Sequence, residues 1–362
     1  MQVTDELIRG VVQEVLMHVR NGKPSRNGAV TGGGFGVFKD VSSAVEAATT
    51  AQAEFARRGL EERRKAVACV RKICVEQSEP LGREEYEETK IGRLEHKIEK
   101  LVAAGERVPG VEALQTDCFS GENGVTLVEY APFGVIGAIT PVTHSLPTLA
   151  CNAINMLAAG NAVVFNAHPA GAKIAAQGVK LFNRAIADAI GIDNLLTIIE
   201  EPTLESAQAI FDHRGVNLIC VTGGPAVARA ALRSPKRAIV AGPGNPPVVV
   251  DETADLDNAA RSIVQGGAYD NNLLCIGEKQ VFAVESIFDE LMGAFARSSA
   301  VVLNERQVEA LTKAAFTSAE NNPTKLILNK DLIGMDAAVL AERAGVRIPP
   351  GTELLVGETG FE

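Results

Sequence analysis

Five short apolar runs alternate with helical segments between residues 134 and 241, and this alternation constrains the fold more than any other feature. The runs are continuously apolar, which is typical of strands buried on both faces of a parallel sheet. Gly160 and Gly191 follow two of the helical segments, where glycine commonly ends a helix. The pattern therefore predicts an α/β fold with helices on both faces of a parallel sheet. The predicted strands are Gly134–Thr140, Ala162–Asn166, Leu195–Ile199, Leu218–Thr222 and Arg237–Ala241.

The segments on either side of this region have a different texture. Residues 41–105 contain dense clusters of charge and predict long helices over 41–55, 57–76 and 84–100. Such charge clusters usually lie on solvated helix faces, and we assign them no chemistry. A second α/β unit is predicted to begin near Val248, and 362 residues are enough for two or three domains.

The N-terminus predicts an amphipathic helix over residues 4–20, followed by a glycine-rich linker over 21–36. Its apolar residues fall on one half of a helical wheel. A helix tied on by a flexible linker can dock into a groove of a partner, or it can pack on its own domain. The pattern alone leaves both interpretations open.

Charge and cysteine usage exclude several classes of protein. The net charge of −10 argues against general nucleic-acid binding, which usually shows a basic surface. The sequence contains no run of about 18 uninterrupted apolar residues, so it predicts no membrane span. The six cysteines form no CxxC pair and have no histidine cluster beside them, so we expect no metal site. Without a secretory signal, they are predicted to be reduced thiols inside the cell.

Ligands of parallel sheets bind beyond the carboxyl ends of the strands. One candidate is Thr222-Gly223-Gly224-Pro225, which can hold phosphate at a helix start or can be a tight turn without a ligand. The glycine- and proline-rich loop 241–247 is either a turn between domains or a ligand contact. Other positions at the same edge are Thr140–His144 and Asn166–Pro169.

A third loop, Tyr269-Asp270-Asn271-Asn272-Leu273-Leu274-Cys275, places a cysteine after an amide-rich segment. A lone cysteine is usually a buried structural residue, and no adjacent histidine or aspartate marks a triad. This heptapeptide nevertheless resembles the nucleophile motif of CoA-acylating aldehyde dehydrogenases, in particular the propionaldehyde and acetaldehyde dehydrogenases of bacterial microcompartments. The resemblance extends from about residue 40 to the end of the chain. Supporting motifs are GVIGAITP at 134–141, MLAAGN at 156–161 and GPGNPP at 242–247.

The resemblance implies a set of catalytic and cofactor residues. Cys275 would be the nucleophile, and its backbone amide would be one donor to the oxyanion that forms. A second donor is expected in the loop after Pro141, where this chain has His144 beside Thr143 and many relatives have Asn. The implied cofactor-binding residues are Thr140, Pro141, Val142, Asn166, His168, Pro169, Thr222, Gly223, Gly224, Val227, Gly242 and Pro243.

The implied reaction converts a short-chain aldehyde, coenzyme A and NAD⁺ to acyl-CoA and NADH through a thiohemiacetal and a thioester on Cys275. The residues do not separate NAD from NADP. Hydrolytic relatives carry a water-activating Glu where this chain aligns Ala241, which favours a thiol acceptor over water. The alternatives are a hydrolytic dehydrogenase that forms free acid and a non-catalytic protein that docks on a shell.

The resemblance also implies a domain organisation and a location. We expect an aldehyde dehydrogenase-like fold with a Rossmann-type parallel-sheet cofactor domain over 37–247 and a second α/β catalytic domain over 248–362. A strand near 117–131 is expected to serve in a homo-dimer or tetramer. Residues 4–20 would be an encapsulation peptide for a shell protein, placing the enzyme in the lumen of a cytoplasmic microcompartment. Because relatives continue beyond Glu362, the catalytic domain is expected to be C-terminally incomplete.

Overall fold

A central parallel sheet with helices around it organises the structure, a computed structural model that describes residues 34–319 and 322–360. The predicted helix at 4–20 and the first part of the predicted linker lie outside the described residues. The helices are α1 Val41–Phe55, α2 Leu60–Glu76, α3 Ser78–Thr89, α4 Leu94–Arg107, α5 Ser145–Ala158, α6 Ala172–Ile190, α7 Leu204–Asp212, α8 Pro225–Arg233, α9 Leu256–Ala268, α10 Phe288–Arg297, α11 Glu305–Ala315 and α12 Ala337–Arg343.

The strands follow the same chain order. They are β1 Val37–Phe38, β2 Asp117–Gly121, β3 Gly124–Val128, β4 Val135–Thr140, β5 Ala162–Ala167, β6 Leu196–Ile199, β7 Leu218–Thr222, β8 Arg237–Ala241, β9 Pro247–Val250, β10 Gln280–Ala283, β11 Ala300–Leu303, β12 Phe316–Ala319, β13 Asn322–Leu328 and β14 Leu354–Gly357.

Six strands form the central sheet in the order β1-β6-β5-β4-β7-β8, with every pair parallel. The chain moves from β4 outward through β5 to β6, and then returns to the other side of β4 as β7. The order in which the chain adds strands therefore reverses between β4 and β7, which remain parallel and pair Ile139 with Val221. In sheets of this kind a crevice opens outside the carboxyl ends of the strands at that point.

Helices cover both faces of the sheet because parallel crossovers are right-handed. Helices α5 and α6 pack together with α2 behind them, whereas α1 packs with α7 against β4, β5 and β6. Strands β4 and β5 are buried along their whole length. Their continuous apolar sequences thus become the centre of the largest apolar cluster. The predicted Rossmann-type sheet is confirmed.

The part of the chain after β8 contains two further parallel strand pairs, β9 with β10 and β11 with β14. Helices α9 and α10 bury an apolar cluster of their own against these strands, formed around Val264, Leu291 and Phe295. The described residues nevertheless belong to one compact unit. The predicted domain boundary at 247/248 remains a prediction.

The charged segment at 84–100 is not one helix. Lys90 has φ of +59° and Gly92 has φ of +81°, and these left-handed residues separate α3 from α4. The expectation that charged residues here lie on solvated faces is wrong for three of them. Glu85 and Lys97 are fully buried and Lys100 is 9% exposed, because these faces of α3 and α4 pack against the loops of the candidate site.

Candidate active site

Two glycine residues and two threonines lie at the point where the strand order reverses, between β4 and β7. Thr140 ends β4 and Thr222 ends the neighbouring β7. The chain then passes through Gly223 and Gly224 into α8, whose first residue is Pro225. The N–H groups of a first helical turn have no partner inside the helix, and they attract anions. The edge can therefore hold the phosphates of a dinucleotide.

Two observations fit a nicotinamide dinucleotide at this edge. The hydroxyl of Thr140 is buried and has no hydrogen-bond partner among the described residues, which is costly unless a ligand supplies one. Space around Gly224 is open, since a methyl group added there would meet no atom within 4 Å. A ligand backbone can therefore approach closely at Gly224.

The other predicted cofactor residues differ in their exposure. Pro141, Val142 and Val227 are half-buried, whereas His168, Pro169, Gly242 and Pro243 are exposed along the same edge. The amide of Asn166 instead faces inward: its Oδ1 accepts a hydrogen bond from Ser206 at 2.5 Å, and its Nδ2 donates to the carbonyl of Thr203. The contact of Asn166 with a ribose remains a prediction, as do the other assigned contacts.

Cys275 follows three consecutive residues in the left-handed region. The φ angles are +49° at Asp270, +55° at Asn271 and +59° at Asn272. Aspartate and asparagine tolerate this conformation better than most side chains, although it still costs free energy. The need for three consecutive left-handed residues explains why the sequence at 270–272 is Asp-Asn-Asn.

Side-chain hydrogen bonds hold this loop in place. Asp270 Oδ1 accepts from the backbone N–H of Arg93 at 2.8 Å, and the N–H of Asp270 donates to Nδ1 of His96 at 2.9 Å. Asn271 Nδ2 donates to the carbonyl of Gly334, and Asn272 Nδ2 donates to that of Gly267 at 2.6 Å. The loop before Cys275 is thus fixed from several sides.

The thiol itself is half-buried and lies beside the glycine-rich loop after β8. A methyl group added at Gly244 would overlap the carbonyl oxygen of Cys275. The carbonyl of Ala241, at the start of the same loop, accepts a hydrogen bond from the N–H of Gly223 at 3.1 Å. This loop therefore connects the candidate nucleophile to the glycine turn of the cofactor edge.

Lys279 stabilises the loop on the other side of the cysteine. Its Nζ donates to the carbonyls of Leu274 at 2.7 Å and Gly277 at 3.1 Å. Burial lowers the pKa of Lys279, and the negative charge of Cys275 opposes this shift.

A buried cluster of charge lies between α3, α4 and the loops that carry His144 and Cys275. We define the buried charge cluster as Glu85, Lys97, Lys100 and Asp270. Nζ of Lys100 lies 2.5 Å from Oδ2 of Asp270, and Nζ of Lys97 lies 3.7 Å from Glu85 and 3.8 Å from Asp270. Two basic and two acidic side chains therefore lie together, and buried ionisable groups require such partners.

The same cluster contacts the loop that carries Thr143 and His144. Lys97 donates to the carbonyl of Thr143 at 2.8 Å, and Glu85 accepts from the N–H of Ser145 at 3.0 Å. Nζ of Lys100 lies 3.0 Å from Nδ1 of His144. Burial and the charges of Lys100 and Lys97 lower the pKa of His144 to about 3, so its ring is neutral at neutral pH.

The sequence predicts that Cys275 and His144 belong to one site, but the buried charge cluster is not among its predictions. A usable signal exists in α4, where Lys97 and Lys100 share one helix face with Leu101 and Ala104. Two lysines within an apolar stripe indicate buried cations that need partners.

Thiol alkylation tests the exposure and acidity of the cysteines. Burial raises the pKa of Cys69, Cys151 and Cys220, and it raises that of Cys74 to about 12, so few of these thiols are ionised at neutral pH. Cys118 is exposed and is removed by Cys118→Ser. In that variant we expect iodoacetamide at pH 7.5 to modify Cys275 at least about 10-fold faster than the other four thiols, as read by peptide mass spectrometry. Uniform labelling would contradict a reactive Cys275.

Other classes of site are not represented in the described ranges. Residues 34–319 and 322–360 contain no group of three or more side chains arranged as metal ligands. In those ranges no helix combines the length and apolar character that a bilayer crossing needs.

Comparison with known proteins identifies the family and the enzymes to which this sequence is similar. A profile of the Aldehyde dehydrogenase family matches residues 23–320. The chain is 41% identical over 328 residues to the acetaldehyde dehydrogenase (acetylating) EutE of Escherichia coli K12, covering 90% of this chain and 70% of that protein.

Two solved structures extend the likeness to the fold. The propionaldehyde dehydrogenase from the fucose utilisation microcompartment of Clostridium phytofermentans is 42% identical, with a TM-score of 0.85 over 91% of this chain and 74% of that one. A Rhodopseudomonas palustris propionaldehyde dehydrogenase, solved with bound CoA and an acylated cysteine, is 40% identical, with a TM-score of 0.84. The match covers 90% of this chain and 74% of that one.

Proposed function

The chain belongs to the aldehyde dehydrogenase family, and from this premise we propose that it is a CoA-acylating dehydrogenase that oxidises a short-chain aldehyde to an acyl-CoA. The observation that carries this proposal is the place of Cys275. Its half-buried thiol lies on a loop fixed by Asp270, Asn271 and Asn272, beside the loop that leads to the cofactor edge.

The first step is attack by the Cys275 thiolate on the aldehyde carbonyl. A C–S bond forms, and the π electrons of the carbonyl move to its oxygen. The backbone N–H of Cys275 has no hydrogen-bond partner within the described part of the chain, and it can donate to that oxygen. His144 is the proposed second donor.

The remaining steps release the acyl group to coenzyme A. The edge formed by Thr140, Gly223 and Gly224 would hold a nicotinamide cofactor, which we propose to be NAD, and the cofactor would supply the acceptor for the hydride of the former aldehyde carbon. Cys275 then carries a thioester. The thiol of coenzyme A attacks it, and the Cys275 thiolate departs as the leaving group. Ala241 bears a methyl group and cannot take a proton from water, so this position offers no general base for hydrolysis.

The dependence on coenzyme A tests the proposed function. With propionaldehyde and NAD⁺, we expect sustained NADH formation only when coenzyme A is present, with acyl-CoA exceeding free acid at least about 10-fold by mass spectrometry. Equal rates without coenzyme A, with free acid as the product, would instead support a hydrolytic dehydrogenase. Absence of turnover under all conditions, together with uniform labelling of the thiols, would favour the shell-docking alternative.

The β2–β3 hairpin supports an oligomer. Phe119, Val125 and Leu127 on this two-stranded ribbon are 63–66% exposed. An isolated ribbon with apolar side chains in water is marginally stable, so it needs a partner surface. We propose that this surface is another copy of the chain, in a dimer or tetramer.

The proposed location follows the relatives. The chain resembles enzymes from bacterial microcompartments, and the sequence of residues 4–20 predicts an amphipathic docking helix. We propose that this segment binds a shell protein and places the enzyme in the lumen of a cytoplasmic microcompartment.

A further inference from the structure

We propose that Lys100 is a positioning residue: its ammonium donates to Nδ1 of His144 and thereby holds the proton of the neutral ring on Nε2, which makes His144 an N–H donor to the oxyanion. This inference rests on the proposed function, because it assigns the second oxyanion donor of that reaction. It also gives a role to a lysine that the chemistry of Cys275 does not otherwise use.

The tautomer of His144 follows from which of the two side chains can donate a hydrogen bond and which can accept one. An ammonium group has three N–H donors and no acceptor. Nζ of Lys100 lies 3.0 Å from Nδ1 of His144, so Nδ1 must be the acceptor. In a neutral imidazole one nitrogen accepts and the other carries the proton. The proton therefore lies on Nε2, which has no hydrogen-bond partner within 34–319 and 322–360.

This tautomer requires Lys100 to be charged. Its Nζ also contacts Oδ2 of Asp270 at 2.5 Å, and this carboxylate favours the ammonium form of Lys100. Burial and the charge of Lys97 lower the pKa of Lys100 to about 8, which still leaves the ammonium as the major form at pH 7.

A backbone carbonyl beside the ring, which could favour the other tautomer, already accepts a hydrogen bond from a lysine. The carbonyl of Thr143 lies near the ring of His144, but it accepts a hydrogen bond from Nζ of Lys97 at 2.8 Å. The two lysines therefore act together on this loop. An asparagine at position 144 would need no such control, because its amide nitrogen carries protons in any case.

The direct test is the protonation of the ring in the unmodified protein. In ¹⁵N-histidine-labelled full chain at pH 7, we expect two-bond proton–nitrogen correlations to place the His144 proton on Nε2, with His144→Asn identifying the signal among the five histidines. A proton on Nδ1 would overturn the inference. This measurement does not depend on catalysis, so it remains decisive even if the proposed function fails.

The functional test is a double-mutant cycle. We expect Lys100→Met to lower kcat for acyl-CoA formation about 100-fold, the usual effect of losing an oxyanion donor, with a much smaller change in aldehyde KM. In the His144→Asn background the same substitution should cost about threefold or less, because the amide donor needs no tautomer control. Any loss of stability from Lys100→Met is common to both backgrounds and cancels from the comparison.

The matched control is Lys72→Met, which removes an exposed lysine on α2 and should leave kcat unchanged in both backgrounds. An equal loss of kcat from Lys100→Met in the two backgrounds would show that Lys100 acts independently of His144, and the inference would be wrong.

Discussion

Cys275→Ala is expected to reduce aldehyde-dependent NADH formation by at least about 10⁴-fold, because the variant lacks the thiol that we propose forms the thiohemiacetal. The loss should fall on kcat. In the unsubstituted chain, propionaldehyde and NAD⁺ without coenzyme A should leave an acyl group on the peptide that contains Cys275. That adduct should be absent from the variant.

The control for this experiment is Cys118→Ala, which removes an exposed thiol on the β2–β3 hairpin. It should retain full activity and the Cys275 adduct. Turnover by Cys275→Ala, or acylation of another cysteine in the unsubstituted chain, would refute the assigned nucleophile.

Asp270→Asn is expected to lower the free energy of unfolding by about 3–5 kcal/mol, the usual cost of breaking a buried ion pair by removing one partner. Asparagine keeps the left-handed backbone accessible and can still accept from the N–H of Arg93. The substitution therefore isolates the charge, leaving Lys97 and Lys100 opposed by Glu85 alone. Urea unfolding of the folded chain measures the change.

The matched control is Asp257→Asn, because Asp257 pairs with Arg297 at 2.5 Å but both side chains are exposed. That pair should contribute no more than about 1 kcal/mol. Adding Lys100→Met to Asp270→Asn restores the charge balance and should recover part of the loss. Equal destabilisation by Asp270→Asn and Asp257→Asn would show that burial of the cluster has no energetic consequence.

The sheet could be predicted because its signal is local. Continuous apolar runs such as Ala162–Asn166, each followed by a helical segment, define strands and crossovers from neighbouring residues alone. The edge positions Thr140 and Thr222 followed from topology, since parallel strands end on the same side. Cys275 was found through a contiguous motif and its resemblance to a family.

The buried charge cluster could not be predicted in the same way, because its members are far apart in the chain. Lys100 and Asp270 are separated by 170 positions, and nothing near either residue indicates the other. Charged residues on helices are usually solvated, which is why the sequence predicts solvated faces for α3 and α4. That prediction is wrong for the buried charge cluster. The break between α3 and α4 also depends on distant packing: a side chain at Gly92 would overlap the carboxylate of Asp270.

The long separation between Lys100 and Asp270 has a consequence for biosynthesis. A ribosome releases the helix bearing both lysines well before it releases the aspartate that neutralises them. Until then, closing the core around α4 would bury positive charge without sufficient compensation, which is unfavourable. The packing around α4 should therefore be completed only after the loop that presents Asp270 has left the ribosome.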